Sequence, residues 1–383
     1  MAVPAGDDVA TWLIREGRLL GDAEAIVTGL CERLIAAGFP LIRMRIGQRM
    51  TNPMFAAWGL VWEPGAVAFH NIDYSILETE VYLASPFHAV IETRAPGGRR
   101  LDTLQGDDQQ ILHDLRALGG VDYLATPLEY GDGSVQVAAF VLSEVLSEAD
   151  SQILIELRHA IAAALEPVAM RSNMRSVMTT YLGHESAERI LSGAIRRGDI
   201  VHIDAVVMFA DLCGFTMLSE MRPEAELLGI LDTYFEAVVT AVHAKGGEVL
   251  KFLGDGILAI FPITEDNSAK AACAAAVEAV RMAEAVLASP DRITSEGEPA
   301  EWFAAALHVG PVVYGNIGSR DRLDFTVVGP TVNLVSRLEE VAKSTRQQII
   351  CSSEFDAAWG GTSNSLGERM LKGFSSPREV RVI

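Results

Sequence analysis

Asp204-Ala-Val-Val-Met-Phe-Ala-Asp211-Leu-Cys-Gly-Phe-Thr216 is the stretch on which the reading of this chain turns. Its apolar run, Ala205 to Ala210, predicts a buried strand. The run ends on a carboxylate, Asp211. Gly214 then breaks the pattern, and Phe215 and Thr216 open a new segment. A carboxylate beside a glycine turn with free backbone N–H groups suits a divalent cation that carries phosphates. The same residue suits equally well the capping of the next helix. Asp211 acquires meaning only from the residues downstream of it in the chain.

Residues 224–245 carry Leu227, Leu228, Leu231, Tyr234, Phe235, Val238, Val239 and Val242 at helical spacing, and Gly246-Gly247 stops the pattern. Residues 248–261 predict a hairpin turning at Gly254-Asp255-Gly256. Asp-Gly is a common turn dipeptide, so Asp255 alone reads as a turn residue. If the hairpin pairs with the Asp211 strand, however, both carboxylates reach one sheet edge, and such a pair can hold two divalent ions about 3.5–4 Å apart. Beyond it the pattern predicts a helix over 268–288, a polar loop over 290–299, and a second hairpin, 302–309 and 312–317, turning at Gly310-Pro311. A strand over 323–328, a helix over 332–343 capped by Thr331, and strands over 347–351 and 379–383 complete this half. Asn333 and Arg337, four apart, share one helical face.

The first half reads as helix, strands, helix, hairpin, long helix. Helical patterning covers 7–37, strands 40–48 and 55–62, a helix 110–118, a hairpin 121–142 turning at Gly131-Asp132-Gly133, and a long helix 147–170. This order resembles a GAF-type sensory domain. Trp58, Trp62, Phe69 and Tyr74 are candidates for core or pocket, and His70, His88 and His113 for ligand contact. Residues 171–203, with Arg171, Arg175, Arg189, Arg196 and Arg197, read as a joint that either couples the halves or is a solvated basic linker.

The 383 residues are 49% hydrophobic and 21% charged, which supports real cores. A net charge of −20 argues against sequence-independent nucleic-acid binding, which rests on Lys and Arg. Cys31, Cys213, Cys273 and Cys351 are scattered without a CxxC pair, so neither a disulfide framework nor a zinc site is expected, and a cytoplasmic setting fits best. The N-terminus lacks the pattern of a signal peptide, and no membrane span is expected.

Three motifs in order, Val207-Met-Phe-Ala-Asp-Leu-Cys-Gly-Phe-Thr216, Leu250-Lys-Phe-Leu-Gly-Asp-Gly256 and Asp324-Phe-Thr-Val-Val-Gly-Pro-Thr-Val-Asn-Leu-Val-Ser-Arg-Leu-Glu339, closely resemble the class III nucleotidyl cyclase catalytic domain. The fold class expected is therefore α+β: a GAF-like α/β sensory domain over 1–170, a helical linker over 171–203, and a ferredoxin-like, palm-type cyclase domain over 204–383. The resemblance implies that Asp211 and Asp255, with Leu212, hold two Mg²⁺ or Mn²⁺ ions per active site. It implies that Lys251 and Thr326 read the purine, that Phe215, Thr216 and Lys372 contact substrate, and that Asn333 and Arg337 support ribose and the transition-state phosphate. Lys at 251 donates to adenine N1 and favours ATP. Pro330 departs from the Asp or Asn frequent in the family. The reaction implied is attack of the ribose 3′-hydroxyl on the α-phosphate of ATP, giving cyclic AMP and pyrophosphate in a site shared by a homodimer. An unidentified small molecule at the N-terminal domain would regulate it. A guanylate or mixed-specificity cyclase is the enzymatic alternative, and a non-catalytic nucleotide-binding regulatory protein the other.

Overall fold

A computed structural model describes residues 5–196, 198–288 and 302–383. The polar loop expected over 290–299 and Arg197 lie outside the described residues. The chain divides into two compact units, Met1–Thr180 and Tyr181–Ile383.

The first unit runs α1 (Ala5–Arg15), α2 (Ala23–Ala36), β1 (Leu41–Arg49), β2 (Phe55–Glu63), β3 (Ala66–Asp73), α3 (Tyr74–Leu77), α4 (Glu80–Leu83), α5 (Pro86–Thr93), β4 (Gly97–Arg100), α6 (Gln110–Ala117), β5 (Asp122–Glu129), β6 (Val135–Leu142) and α7 (Glu148–Leu182). Its six strands are ordered β3-β2-β1-β6-β5-β4, with antiparallel neighbours. One face packs Met44, Ile46, Trp58, Leu60 and Phe140 against Leu13, Leu30, Leu157 and Ile161 of the long helices. The other packs Tyr123, Val137 and Val141 against Val90, Leu112 and Leu115.

Two expectations for this half need correction, and one stretch carried none. The helix expected over 7–37 is two helices, because the chain turns between Gly17 and Gly21 (φ +69°) and restarts at Asp22, whose carboxylate accepts from the Ala25 N–H at 2.8 Å. The segment between the Pro64-Gly65 turn and residue 110 holds β3, three short helices and β4. β3 carries little strand signal because most of its residues are exposed, which erases the alternation that marks a half-buried strand. The long helix continues past 170 to Leu182, with Pro167 inside it.

The second unit runs α8 (His184–Leu191), β7 (Ile200–Leu212), α9 (Phe215–Met221), α10 (Glu224–Ala244), β8 (Glu248–Leu253), β9 (Gly256–Pro262), α11 (Ala269–Leu287), β10 (Phe303–Gly318), β11 (Leu323–Val328), α12 (Pro330–Thr345), β12 (Ile349–Ser352), α13 (Ser353–Trp359), β13 (Asn364–Arg369) and β14 (Arg378–Val382). Its sheet is ordered β13-β14-β12-β10-β7-β9-β8, and β11 also pairs with β10. Both faces of β7 are covered. Val206, Met208, Ala210 and Leu212 join a core with Tyr234, Val238, Ala276 and Val280; Ala205 and Val207 join one with Leu334, Val335 and Leu338. That double burial makes 205–210 a continuous apolar run rather than an alternating one. Helix α10 is, among the described residues, the one long and apolar enough by length and composition to cross a membrane. Its face Tyr234, Ala237, Val238, Ala241 and Val242 is buried in the core of this unit.

The second hairpin expected around Gly310-Pro311 is instead a single sixteen-residue strand, β10. It pairs with β7 without interruption from Phe303↔Leu212 to Gly315↔Ile200. Pro311 fits because a residue's N and C=O point to the same side of a strand. The Pro311 carbonyl accepts from the Thr331 hydroxyl at 2.7 Å, so its nitrogen also faces away from β7, where neither β11 nor β12 pairs. This contact corrects a second expectation. Thr331 is not the cap of α12: Gly329 holds that position (φ 146°), Pro330 is the first helical residue, and Thr331 is buried inside the first turn.

Candidate active site

Alternation along β7 decides where Asp211 looks. Ala205 and Val207 face α12, Val206 and Met208 face α10 and α11, and Asp211 shares the odd-numbered side. Asp211 is 7% exposed, and its carboxylate forms an ion pair with the Lys343 ammonium, from the last turn of α12. Lys343 also lies 3.0 Å from a Glu339 carboxylate oxygen, one helical turn earlier. Burial, then Glu340 and Asp255, push the Glu339 carboxyl up to about 7, and burial lowers the Lys343 ammonium below its ordinary value. Neither Glu339 nor Lys343 was singled out from the sequence. The signal was there only as helical spacing, since 335, 339 and 342–343 continue the inward stripe of α12.

Asp255 reaches the same edge. In the β7–β9 ladder Asp211 pairs with Gly256, and the Leu212 N–H donates to the Asp255 carbonyl at 3.4 Å. A Cβ on Gly256 would stand 3.2 Å from an Asp211 carboxylate oxygen and 3.1 Å from the Phe209 ring. The glycine thus keeps open the space beside Asp211. The Asp211 carboxylate beside that space, with Asp255 in the adjoining turn, offers the hard oxygen donors a small divalent cation takes; among the described residues no cluster of three or more His, Cys, Asp or Glu side chains forms there, and the cation paired with Asp211 is a lysine. Leu212 could contribute only its backbone, because its side chain is buried in the core. Gly214, at φ +81°, starts α9; Phe215 packs against the core and Thr216 is exposed.

Lys251 sits on β8 just past a register shift between Val249 and Lys251. That irregularity re-aims the side chain, and its ammonium lies 3.1 Å from Asp324 Oδ2 of β11. Thr326, two residues on, shares that face of the strand. It is buried, and its hydroxyl has no hydrogen-bond partner. Asn333 is exposed, and Arg337 pairs with Glu340 on the outer side of α12. At 100° per residue, Asn333 lies about 120° round the helix from Glu339. The fold therefore brings Asp211, Glu339 and Lys343 together beside the Asp255 turn and places Thr326 on the strand whose Asp324 pairs with Lys251, while Asn333 is exposed and Arg337 is half-buried against Glu340. Lys372 is exposed between β13 and β14.

Residues 201–361 match the adenylate and guanylate cyclase catalytic domain family, and Lys372 lies outside that match. Residues 201–361 are accordingly a class III adenylyl/guanylyl cyclase catalytic domain. An uncharacterized protein of Mycobacterium tuberculosis is 33% identical over 242 residues, covering 60% of this chain and 40% of that protein. A Mycobacterium bovis protein, also uncharacterized, is 33% identical over 244 residues, 61% of this chain and 42% of its own length. The chain thus spans about two fifths of the length of the curated relatives it matches. Among solved structures, the guanylyl cyclase Cya2 is 30% identical over 48% of this chain and 92% of its own (TM-score 0.40). The adenylyl cyclase CyaB from P. aeruginosa is 25% identical over 48% of this chain and 95% of its own (TM-score 0.41).

Proposed function

We propose that the protein converts ATP to 3′,5′-cyclic AMP and pyrophosphate in a site shared by two copies of the chain, under control of its GAF-like N-terminal unit. One observation carries the reading: the buried Asp211 carboxylate and the Asp255 turn meet at a sheet edge kept open by Gly256. Divalent ions, when bound by these carboxylates, would supply the positive charge that neutralises a triphosphate and favours ionisation of the 3′-hydroxyl. Asp211 and Asp255 hold that charge in place. Arg337 offers a planar fork of donors to the α-phosphate once it leaves Glu340. Asn333 offers an amide to the ribose.

The direction of Asn333 and Arg337 away from Asp211 supports a homodimer, because the face of α12 that meets Asp211 carries Glu339 and Lys343 instead. Lys251 donating to adenine N1 and the unpartnered Thr326 hydroxyl accepting from the 6-amino group support ATP. A second reading, a guanylate or mixed-specificity cyclase, rests on Asp324, whose carboxylate sits on Lys251 and would accept from guanine N1–H. Turnover of ATP and GTP by the full chain with Mn²⁺ separates the two, and a clear preference for GTP would refute the assignment of Lys251. A reducing, cytoplasmic setting belongs to the same proposal and is supported by four free cysteines.

A further inference from the structure

The first unit holds a half-open cavity of about 870 Å³ between its sheet and the short helices α3–α6. This volume lies within the range of small-molecule sites. Strand alternation gives the central strand β1 two unlike faces. Met44 and Ile46 enter the core, whereas Arg43, Arg45, Gly47 and Arg49 line the cavity. Arg43 is answered by Glu63 at 2.6 Å. Arg45 is not answered: among the described residues no carboxylate pairs with it, its Nε is buried without an acceptor, and its guanidinium lies 5.1 Å from the centre of the Phe87 ring. Burial lowers its pKa, and the same burial, with Arg45 and Arg43, lowers that of His70 on the neighbouring wall. Of the acids lining the cavity, Glu92 lies 3.9 Å from His88, and Asp73 precedes α3. Facing the basic strand are Ile91, Ile111, Leu112 and Leu115.

A half-buried guanidinium without a counter-ion is unfavourable, and in a chain of net charge −20 a basic wall is a local exception. We propose that this cavity binds one small organic anion, its carboxylate or phosphate head on Arg45 and its apolar body against Phe87, Ile91 and Leu115. Gly47 makes room for that arrangement, since a Cβ there would stand 2.6 Å from the Phe87 ring.

The test uses two probes with one aromatic body: 8-anilino-1-naphthalenesulfonate, an anion, and N-phenyl-1-naphthylamine, the same molecule without its sulfonate. Both are titrated by fluorescence into the full chain without metal or nucleotide. The anion should bind with one site per chain. Arg45→Met should weaken it at least tenfold and leave the neutral probe within about twofold, because a charged hydrogen bond is lost and the apolar wall kept. Arg45→Lys, which keeps the charge, should hold the anion within a few-fold, and it serves if the Met variant does not fold. Equal weakening of both probes by Arg45→Met, no weakening of either, or a tenfold loss with Arg45→Lys in a folded chain would overturn the proposal.

Discussion

Lys343 forms an ion pair with the buried carboxylate of Asp211, from a helix whose Asn333 and Arg337 point elsewhere. A monovalent ammonium therefore occupies one side of the residue proposed to hold a divalent ion. Replacing Lys343 with Met should leave Asp211 a buried anion without a partner. Lys343 is partly exposed, so the cost to the metal-free protein is about 1–2 kcal/mol rather than that of a fully buried pair. Mn²⁺ should recover more melting temperature in the variant than in the wild type. Equal metal-induced shifts in a calorimetric scan would show that Lys343 and the metal do not share Asp211.

Gly256→Ala tests the space beside the same carboxylate. Its methyl group would crowd Asp211, Phe209 and the Leu253 carbonyl at 3.1–3.3 Å. We expect Mn²⁺ affinity, read by calorimetry, to fall about tenfold with a stability loss of about 1–3 kcal/mol. Unchanged metal affinity would remove Gly256 from the site.

Asp211→Ala and Arg337→Ala chains should each be inactive, the second by about 10²–10³ in rate. Mixed, they should recover activity near that of one site per dimer. Mixtures that stay inactive while forming heterodimers would contradict a site shared between copies.

Thr326→Val separates recognition from stability. The hydroxyl is buried and unpartnered, so its removal should leave stability unchanged or improve it by up to about 1 kcal/mol. The ATP-to-GTP ratio of kcat/KM should nevertheless drop. A ratio equal to that of wild type would leave base reading to Lys251 alone.

Glu248 gives a pH signature away from the metal edge. It is buried, accepts from the Tyr314 hydroxyl at 2.9 Å, and has its pKa raised chiefly by burial. A raised folded value favours the protonated form. Its contribution to stability is thus full below the unfolded value of about 4.3 and is lost as pH rises through the folded value. Glu248→Gln should gain stability relative to wild type between pH 4 and pH 8 in urea unfolding. A difference that is flat with pH would refute this.

Strand β7, the Gly254-Asp255 turn and helices α10 and α11 were legible because each rests on local signals: a continuous apolar run, a turn dipeptide, helical spacing. Gly310-Pro311 misled because its turn propensity is also local, whereas the ladder that keeps β10 straight pairs residues about a hundred positions apart. Thr331 likewise looked like a cap until its hydroxyl was needed at Pro311.

The order of motifs alone determined the class of catalytic domain and the residues to watch, because motif identity resides in residue types at fixed spacing. Only the tertiary structure decided that Lys343 answers Asp211, that Thr326 has no partner, and that Arg45 faces a cavity without a counter-ion. Each of these is a property of which groups remain near a charge or a hydroxyl after burial removes water. Burial is set by distant strands and helices packing together, and no local pattern in the chain encodes it.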